Sequence, residues 1–113
     1  MTVYVDNMRA DYGRMVMCHM IATTEAELLA MAAVIGVQHK WIQYPGSAKE
    51  HFDIALSKRA RAVRAGAVEI TRRQCSCMCM RRRITGELGT PEDAERWAQE
   101  YVAQRSAPAQ APA

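Results

Sequence analysis

Residues 51–70 read HFDIALSKRARAVRAGAVEI, and the order of residue types in this stretch decides the fold. Asp53 stands where a carboxylate can cap a following helix by accepting its free first-turn amides. Leu56, Ala60 and Val63 recur at helical spacing and predict one apolar side, with Lys58, Arg59, Arg61 and Arg64 on the rest of the wheel. Gly66 is placed to end the helix in the left-handed conformation. Val68, Glu69 and Ile70 then alternate as a short strand does. Helix, glycine and strand with almost no loop form the return arm of a βαβ unit, which predicts a parallel sheet.

Upstream, Thr2 to Val5 predicts a first strand, with Asp6 at its carboxyl end, where ligands gather in open α/β sheets. An Asp–Asn pair also starts turns, so Asp6 and Asn7 have a plain structural reading as well. Residues 8–14 read as a polar loop. Met15 to Ile21 predicts a central strand that is apolar on both faces, and His19 is its only strongly polar residue. Thr24 and Glu27 have capping-box spacing before a helix whose stripe is Leu28, Met31, Ala32 and Ile35, ended by Gly36. Val37 to Gln43 predicts a third strand carrying Trp41 and Gln43, followed by a loop through Pro45, Gly46 and Ser47.

Downstream of Ile70, TRRQCSCMCMRRR (71–83) predicts a short helix with frayed ends. Thr90 and Pro91 start a last helix, with Glu92 and Asp93 at its positive end and a stop near Arg105. The expectation is one α/β domain over residues 1–84: a small, mostly parallel sheet of three to four strands flanked by helices. A C-terminal helical extension covers 85–105, and SAPAQAPA (106–113) forms a disordered tail.

The chain has 113 residues, enough for a single core. It holds 8 Met and one Phe, which predicts a core filled by flexible side chains rather than stacked rings. No apolar run reaches the roughly 20 residues that span a bilayer, and Met1 leads into a strand rather than a signal peptide. Cys75, Cys77 and Cys79 are too crowded to staple a secreted fold, so the four thiols, with Cys18, are expected reduced in a cytoplasmic protein. Net charge is +3, but residues 39–83 hold 11 Lys and Arg against 3 Asp and Glu, a local +8, leaving −5 elsewhere. A basic centre of this kind attracts phosphate-bearing partners, unless the chain's own acidic segments neutralise it.

Several of these pieces resemble a family catalogued as a domain of unknown function, DUF4031, small proteins of bacteria and their phages. The resemblance is carried by VYVD (3–6), Gly13, CHMIATTEAEL (18–28), Met31-Ala32, Ile35-Gly36, Trp41, Gln43, HFD (51–53) and Gly66-Ala67, and covers about residues 1–73. Phe52 stands where members often have Tyr, and Arg72 or Arg73 where some have Trp. The resemblance implies the fold and the polar positions, and names no reaction.

Three constellations could carry chemistry. Asp6, His19, His51 and Asp53 combine two groups that titrate near neutrality with two carboxylates, a set suited to acid–base work or to a divalent metal. His51 and Asp53 alternate about Phe52, so in an extended segment they project the same way. Two of them also have a structural reading: His19 satisfied in the core, Asp53 as a helix cap. Cys75, Cys77 and Cys79, with Cys18 as a fourth, could bind zinc, but the spacing puts Cys77 on the other side of a helix. Lys58, Arg59 and Arg72, with Gln43, are candidate ligand-binding residues, and the basic set they belong to apart from Gln43 continues through Arg61, Arg64, Arg73 and Arg81 to Arg83. Trp41, Tyr44 and Phe52 offer stacking surface nearby. Gly13, Gly36, Gly46 and Gly66 are isolated, so there is no glycine-rich phosphate loop.

The leading functional expectation is an accessory binding protein for a phosphate-bearing ligand or nucleic acid. A small metal- or His-dependent hydrolase of phosphoesterase type, using Asp6, His19, His51 and Asp53, is the second. A partner-binding subunit that uses a Met-rich surface and the last helix is the third.

Overall fold

In a computed structural model, which describes residues 2–106, five strands form one mixed sheet with helices on both faces. The strands are β1 (Val3–Val5), β2 (Ala10–Tyr12), β3 (Met15–Ala22), β4 (Phe52–Ala55) and β5 (Val68–Glu69). The helices are α1 (Glu25–Ile35), α2 (Leu56–Arg64), α3 (Arg72–Thr85) and α4 (Pro91–Ser106). The tail expected at 106–113 lies outside the described residues, apart from Ser106, which ends α4.

The α/β class holds, but the sheet is mostly antiparallel. β3 pairs antiparallel with β1, β2 and β4, and the parallel pair among the described residues is β1–β5. The arm read from residues 51–70 does lead into that parallel pair. The rest of the expectation fails because apolar alternation reports burial and not strand direction. A strand covered on both faces is as compatible with an antiparallel sheet between two helical layers as with a parallel one.

β3 organises the sheet. Met17 pairs with both Ala10 and Ala55, and Met20 with both Val5 and Phe52, so β4 runs along one edge of β3 while β1 and β2 share the other. Between them, residues 6–9 interrupt that shared edge. β2 lies within the expected polar loop at 8–14, and its hairpin turn uses Gly13 at φ 61.

The alternation of the strands divides the core. Val3, Val5, Cys18, Met20, Phe52 and Ile54 face α1 and α2, meeting Leu28, Ala32, Ile35 and Ala62. Tyr4, Ile21 and Ile70 face α3 and α4, meeting Cys75, Met78, Leu88 and Ala94. Phe52 is fully buried, so it provides no stacking surface. Each large apolar side chain taken from water contributes about 1.5–3 kcal/mol, which makes these two layers the main hold on the sheet.

Helix ends follow side-chain chemistry. Thr24 accepts the Glu27 amide at 3.2 Å and donates its hydroxyl to the Glu27 carboxylate at 2.9 Å, and Gly36 closes α1 at φ 79. Thr71 and Gln74 make a full capping box, so α3 runs 14 residues where a short frayed helix was expected. Asp53 does not cap α2. It lies in β4, and Ala55 precedes the helix without a side-chain cap. The buried side of α2 is Ala62 with Val63 packed against the core, while Ala60 of the expected stripe is exposed. No third strand forms at Val37 to Gln43: residues His39–Trp41 make a 3₁₀ turn, and Gln43 forms an isolated bridge with His51. No helix among the described residues is long and apolar enough to cross a membrane.

Candidate functional site

Register alone brings the polar residues together. His19 lies opposite Asp53 in the β3–β4 ladder. On the other edge, the Asp6 amide donates to the His19 carbonyl at 3.0 Å, continuing the β1–β3 ladder by one rung. Asp6, His19 and Asp53 therefore form a row across three strands, on the face covered by α3. His51, two residues before Asp53, projects to that same face, and its ring meets the His19 ring edge-on at 5.1 Å. The four residues spaced along the first half of the chain do converge.

The hydrogen bonds fix how each ring is turned. Asp6 is fully buried. One of its oxygens accepts the His19 backbone N–H at 2.8 Å and the Met8 N–H at 3.3 Å; the other accepts from His19 Nδ1 at 2.8 Å. His51 Nδ1 donates to the Lys49 carbonyl at 2.7 Å. With both Nδ1 atoms acting as donors, each neutral ring carries its lone pair on Nε2. Both Nε2 atoms stand near one carboxylate oxygen: Asp53 Oδ1 is 3.4 Å from His51 Nε2 and 3.8 Å from His19 Nε2. The other Asp53 oxygen accepts from the Gln43 side-chain amide. His51 also stacks on Tyr44 at 6.1 Å, and the Lys49 ammonium lies over the Tyr44 ring at 4.3 Å.

Two imidazole nitrogens without hydrogens and a carboxylate oxygen gathered this closely repel, unless protons or a cation lie between them. One ligand atom from each of His19, His51 and Asp53 lies within 4.8 Å of the other two. Two bonds of about 2.1 Å at a tetrahedral angle separate ligand atoms by about 3.4 Å, so these spacings need only small adjustments to hold an ion. Asp6 behind His19 and the Lys49 carbonyl behind His51 are outer partners of the kind that orient metal-binding imidazoles.

The electrostatics agree with the geometry. The hydrogen bond to Asp6 raises the His19 pKa, with burial opposing it and the charges of Asp6 and Asp53 adding to the rise. Burial alone would push Asp6 up, but its hydrogen bonds and the nearby His19 together hold it below the usual carboxylate value.

The expected ligand-binding residues divide. Gln43 orients Asp53. Lys58 lines the cleft beside Gly36. Arg59 is occupied inside the protein, donating to the Asp6 carbonyl at 2.8 Å and to Glu69 at 2.9 Å. Arg72 is exposed at the start of α3, where its backbone N–H donates to Asn7 Oδ1 at 2.6 Å. Arg82 reaches the Ala48 and Ala22 carbonyls, and Arg81 the Glu87 carbonyl. Much of the basic stretch thus holds the fold together.

The cysteines do not form one cluster. Cys18 packs on the opposite face, among the residues facing α1 and α2. Cys77 packs beside the second core, while Cys75 has its thiol within 4.8 Å of ligand atoms of Asp6 and His19. Cys75 joins the polar site beyond the residues expected there. The signal was its i,i+4 relation to Cys79, which puts both on one helix face.

The site opens into a cleft of about 910 Å³ whose lining includes Tyr12, Met17, Lys40, Trp41 and Lys58. The protein-family description that matches is protein of unknown function (DUF4031), over residues 3–83. No curated protein and no solved structure gives a significant match.

Proposed function

We propose that this chain, which belongs to the DUF4031 family, is a metal-dependent hydrolase whose divalent ion is held by His19, His51 and Asp53. The observation that carries the reading is the gathering of a ligand atom from each of His19, His51 and Asp53 within 4.8 Å of one another, with each Nδ1 already committed elsewhere. Two imidazoles and one carboxylate suit zinc or iron(II), and three protein ligands leave a position open, as catalytic sites do. An ion there supplies a Lewis acid and an acidified water.

The protein's residues do the positioning. Asp6 fixes the His19 tautomer and favours positive charge beside it, the Lys49 carbonyl fixes the tautomer of His51, and Gln43 holds Asp53 by its second oxygen. In the hydrolysis, the oxygen of water bonds to the acyl or phosphoryl centre as the ester bond breaks, and a proton passes to the departing oxygen. All four cysteines are free thiols, which supports a reducing, cytoplasmic setting.

The test is titration calorimetry with zinc, manganese(II) and iron(II), followed by hydrolysis of p-nitrophenyl phosphate and bis(p-nitrophenyl) phosphate. Stoichiometric metal binding and turnover abolished by a chelator are expected. A purified protein that takes up none of the three ions ends the reading.

One observation favours a second reading, an accessory binding protein for a phosphate-bearing ligand. The second Asp53 oxygen is taken by Gln43, so with an ion on both Nε2 atoms and the first oxygen, none of His19, His51 and Asp53 is left as a free general base. Metal and ligand binding without turnover of either ester decides for it.

A further inference from the structure

We infer that the cleft takes a nucleoside phosphate, its base stacked on Trp41 and its phosphate drawn to Lys40, Lys58 and the His19–His51–Asp53 end. The inference deepens the metal-site reading by naming what lies beside the ion, and part of it stands on different residues.

Trp41 is 63% exposed and Tyr12 71% exposed, and both line the one cleft that also contains the histidines. Exposed apolar surface gathered along a cleft and rimmed by polar residues marks a ligand-binding groove. Every base has a flat face that such a ring can stack on, whatever its identity. Lys40 and Lys58 lie in the same wall, with the Lys40 ammonium 5.1 Å from the centre of the Trp41 ring. Asp11 and Asp53 balance them, so a bound divalent ion would turn the lining net positive and suited to an anion. A sugar phosphate would leave the rings unused, and an uncharged aromatic would leave the lysines unused. A long nucleic acid needs a track of many cations for its phosphates. Here Arg59, Arg81 and Arg82 are held by the protein's own acceptors. The volume of about 910 Å³ is that of a small-molecule pocket.

The full chain carrying Trp97→Phe leaves Trp41 as its single tryptophan, because the sequence has 2 and Trp97 stacks on Tyr101 in α4. AMP, GMP, CMP and UMP are titrated against its fluorescence, with and without zinc, beside ribose 5-phosphate and inorganic phosphate. At least one nucleotide is expected to quench Trp41 and to bind about tenfold or more tighter than ribose 5-phosphate. By calorimetry, Trp41→Ala removes that advantage, Trp41→Phe keeps part of it, and Lys40→Met with Lys58→Met weakens the nucleotide about tenfold. Trp41 is exposed, so its loss leaves the core intact. Zinc binding with no nucleotide exceeding ribose 5-phosphate overturns this inference alone. A nucleotide advantage without any metal binding upholds it and removes the hydrolase reading instead.

Discussion

Asp6 holds His19 by both backbone and ring: one carboxylate oxygen takes the His19 amide at 2.8 Å, and the other takes Nδ1 at 2.8 Å. The carboxylate is fully buried at the point where β1 gives way to the 6–9 interruption. It completes the sheet edge and sets the tautomer of a ring whose far nitrogen faces Asp53.

Asp6→Asn tests both roles. Asparagine can still accept the His19 amide through its oxygen, but its NH₂ would then face Nδ1. That reverses the tautomer and puts a hydrogen on Nε2, where the ion is to bind. Zinc affinity by calorimetry should fall about 10- to 100-fold. Loss of a charge-assisted buried hydrogen bond should lower unfolding free energy by about 2 kcal/mol in denaturant titrations. Unchanged zinc affinity would show that Asp6 serves the fold alone.

His51→Ala separates site from scaffold. His51 lies just before β4, and its ring is held by the Lys49 carbonyl and Tyr44 rather than by the core. Removing it leaves two of three ligands, so zinc binding should weaken at least about 100-fold by calorimetry. The melting temperature of the metal-free protein should move by only a few degrees, about what a loss near 0.5 kcal/mol produces. A variant that unfolds would make His51 a structural residue.

Much of this site was legible in the sequence, because alternation assigns faces. His51 and Asp53 flank Phe52, and His19 shares a face with Met17 and Ile21, so each projection could be read before any register was known. Which strands met, and in which direction, could not be read. β2 is exposed at every position and is held by pairing with β3, so Ala10-Asp11-Tyr12 has no apolar pattern to reveal it. Asp53 before a basic helix looks like a cap, yet Phe52 and Ile54 alternate around it at 0% and 1% exposure, which is a strand's signature. Arg59 reads as a ligand cation, and Arg82 as part of the same basic set, because charge alone does not show that a backbone carbonyl lies within reach.

The raised His19 and lowered Asp6 pKa values set a pH window. A histidine whose folded pKa is above its unfolded value of 6.5 stabilises fully below 6.5, and that stability is lost as pH rises through the folded value. Asp6, depressed from 3.8, stabilises above 3.8 and loses its effect as pH falls through its folded value. The metal-free protein should therefore gain most from this pair between about pH 4 and 6.5. Zinc affinity should run the other way, rising with pH until His19 has lost its proton. Titration of the His19 ring by NMR and calorimetry at several pH values check this, and a His19 midpoint below 6.5 would contradict it.

The thiols of α3 differ in reactivity for reasons visible in their surroundings. Cys79 is lowered, first by its pairing with the Cys75 thiol one helical turn before it and then by the charges of Arg82 and His19, with burial opposing. Cys75 is pushed up by the same pairing and by burial, Cys77 is raised by burial, and Cys18 is raised to about 11 by burial and then by the Asp6 charge. A thiolate, not a thiol, attacks iodoacetamide. Peptide mapping by mass spectrometry should find Cys79 alkylated first, with a rate that rises below the ordinary thiol value of 9.0, and Cys18 and Cys75 last. Arg82→Gln removes one stabilising charge, so the rise should move to higher pH, whereas Cys77→Ser should leave it in place. Because Arg82 also ties α3 to Ala22 and Ala48, the shift is read only on a variant whose circular dichroism matches the parent protein. If Cys77 is labelled ahead of Cys79 at neutral pH, the pairing of Cys75 with Cys79 does not acidify the thiol, and the assignment of that helix face to the polar site loses its electrostatic support.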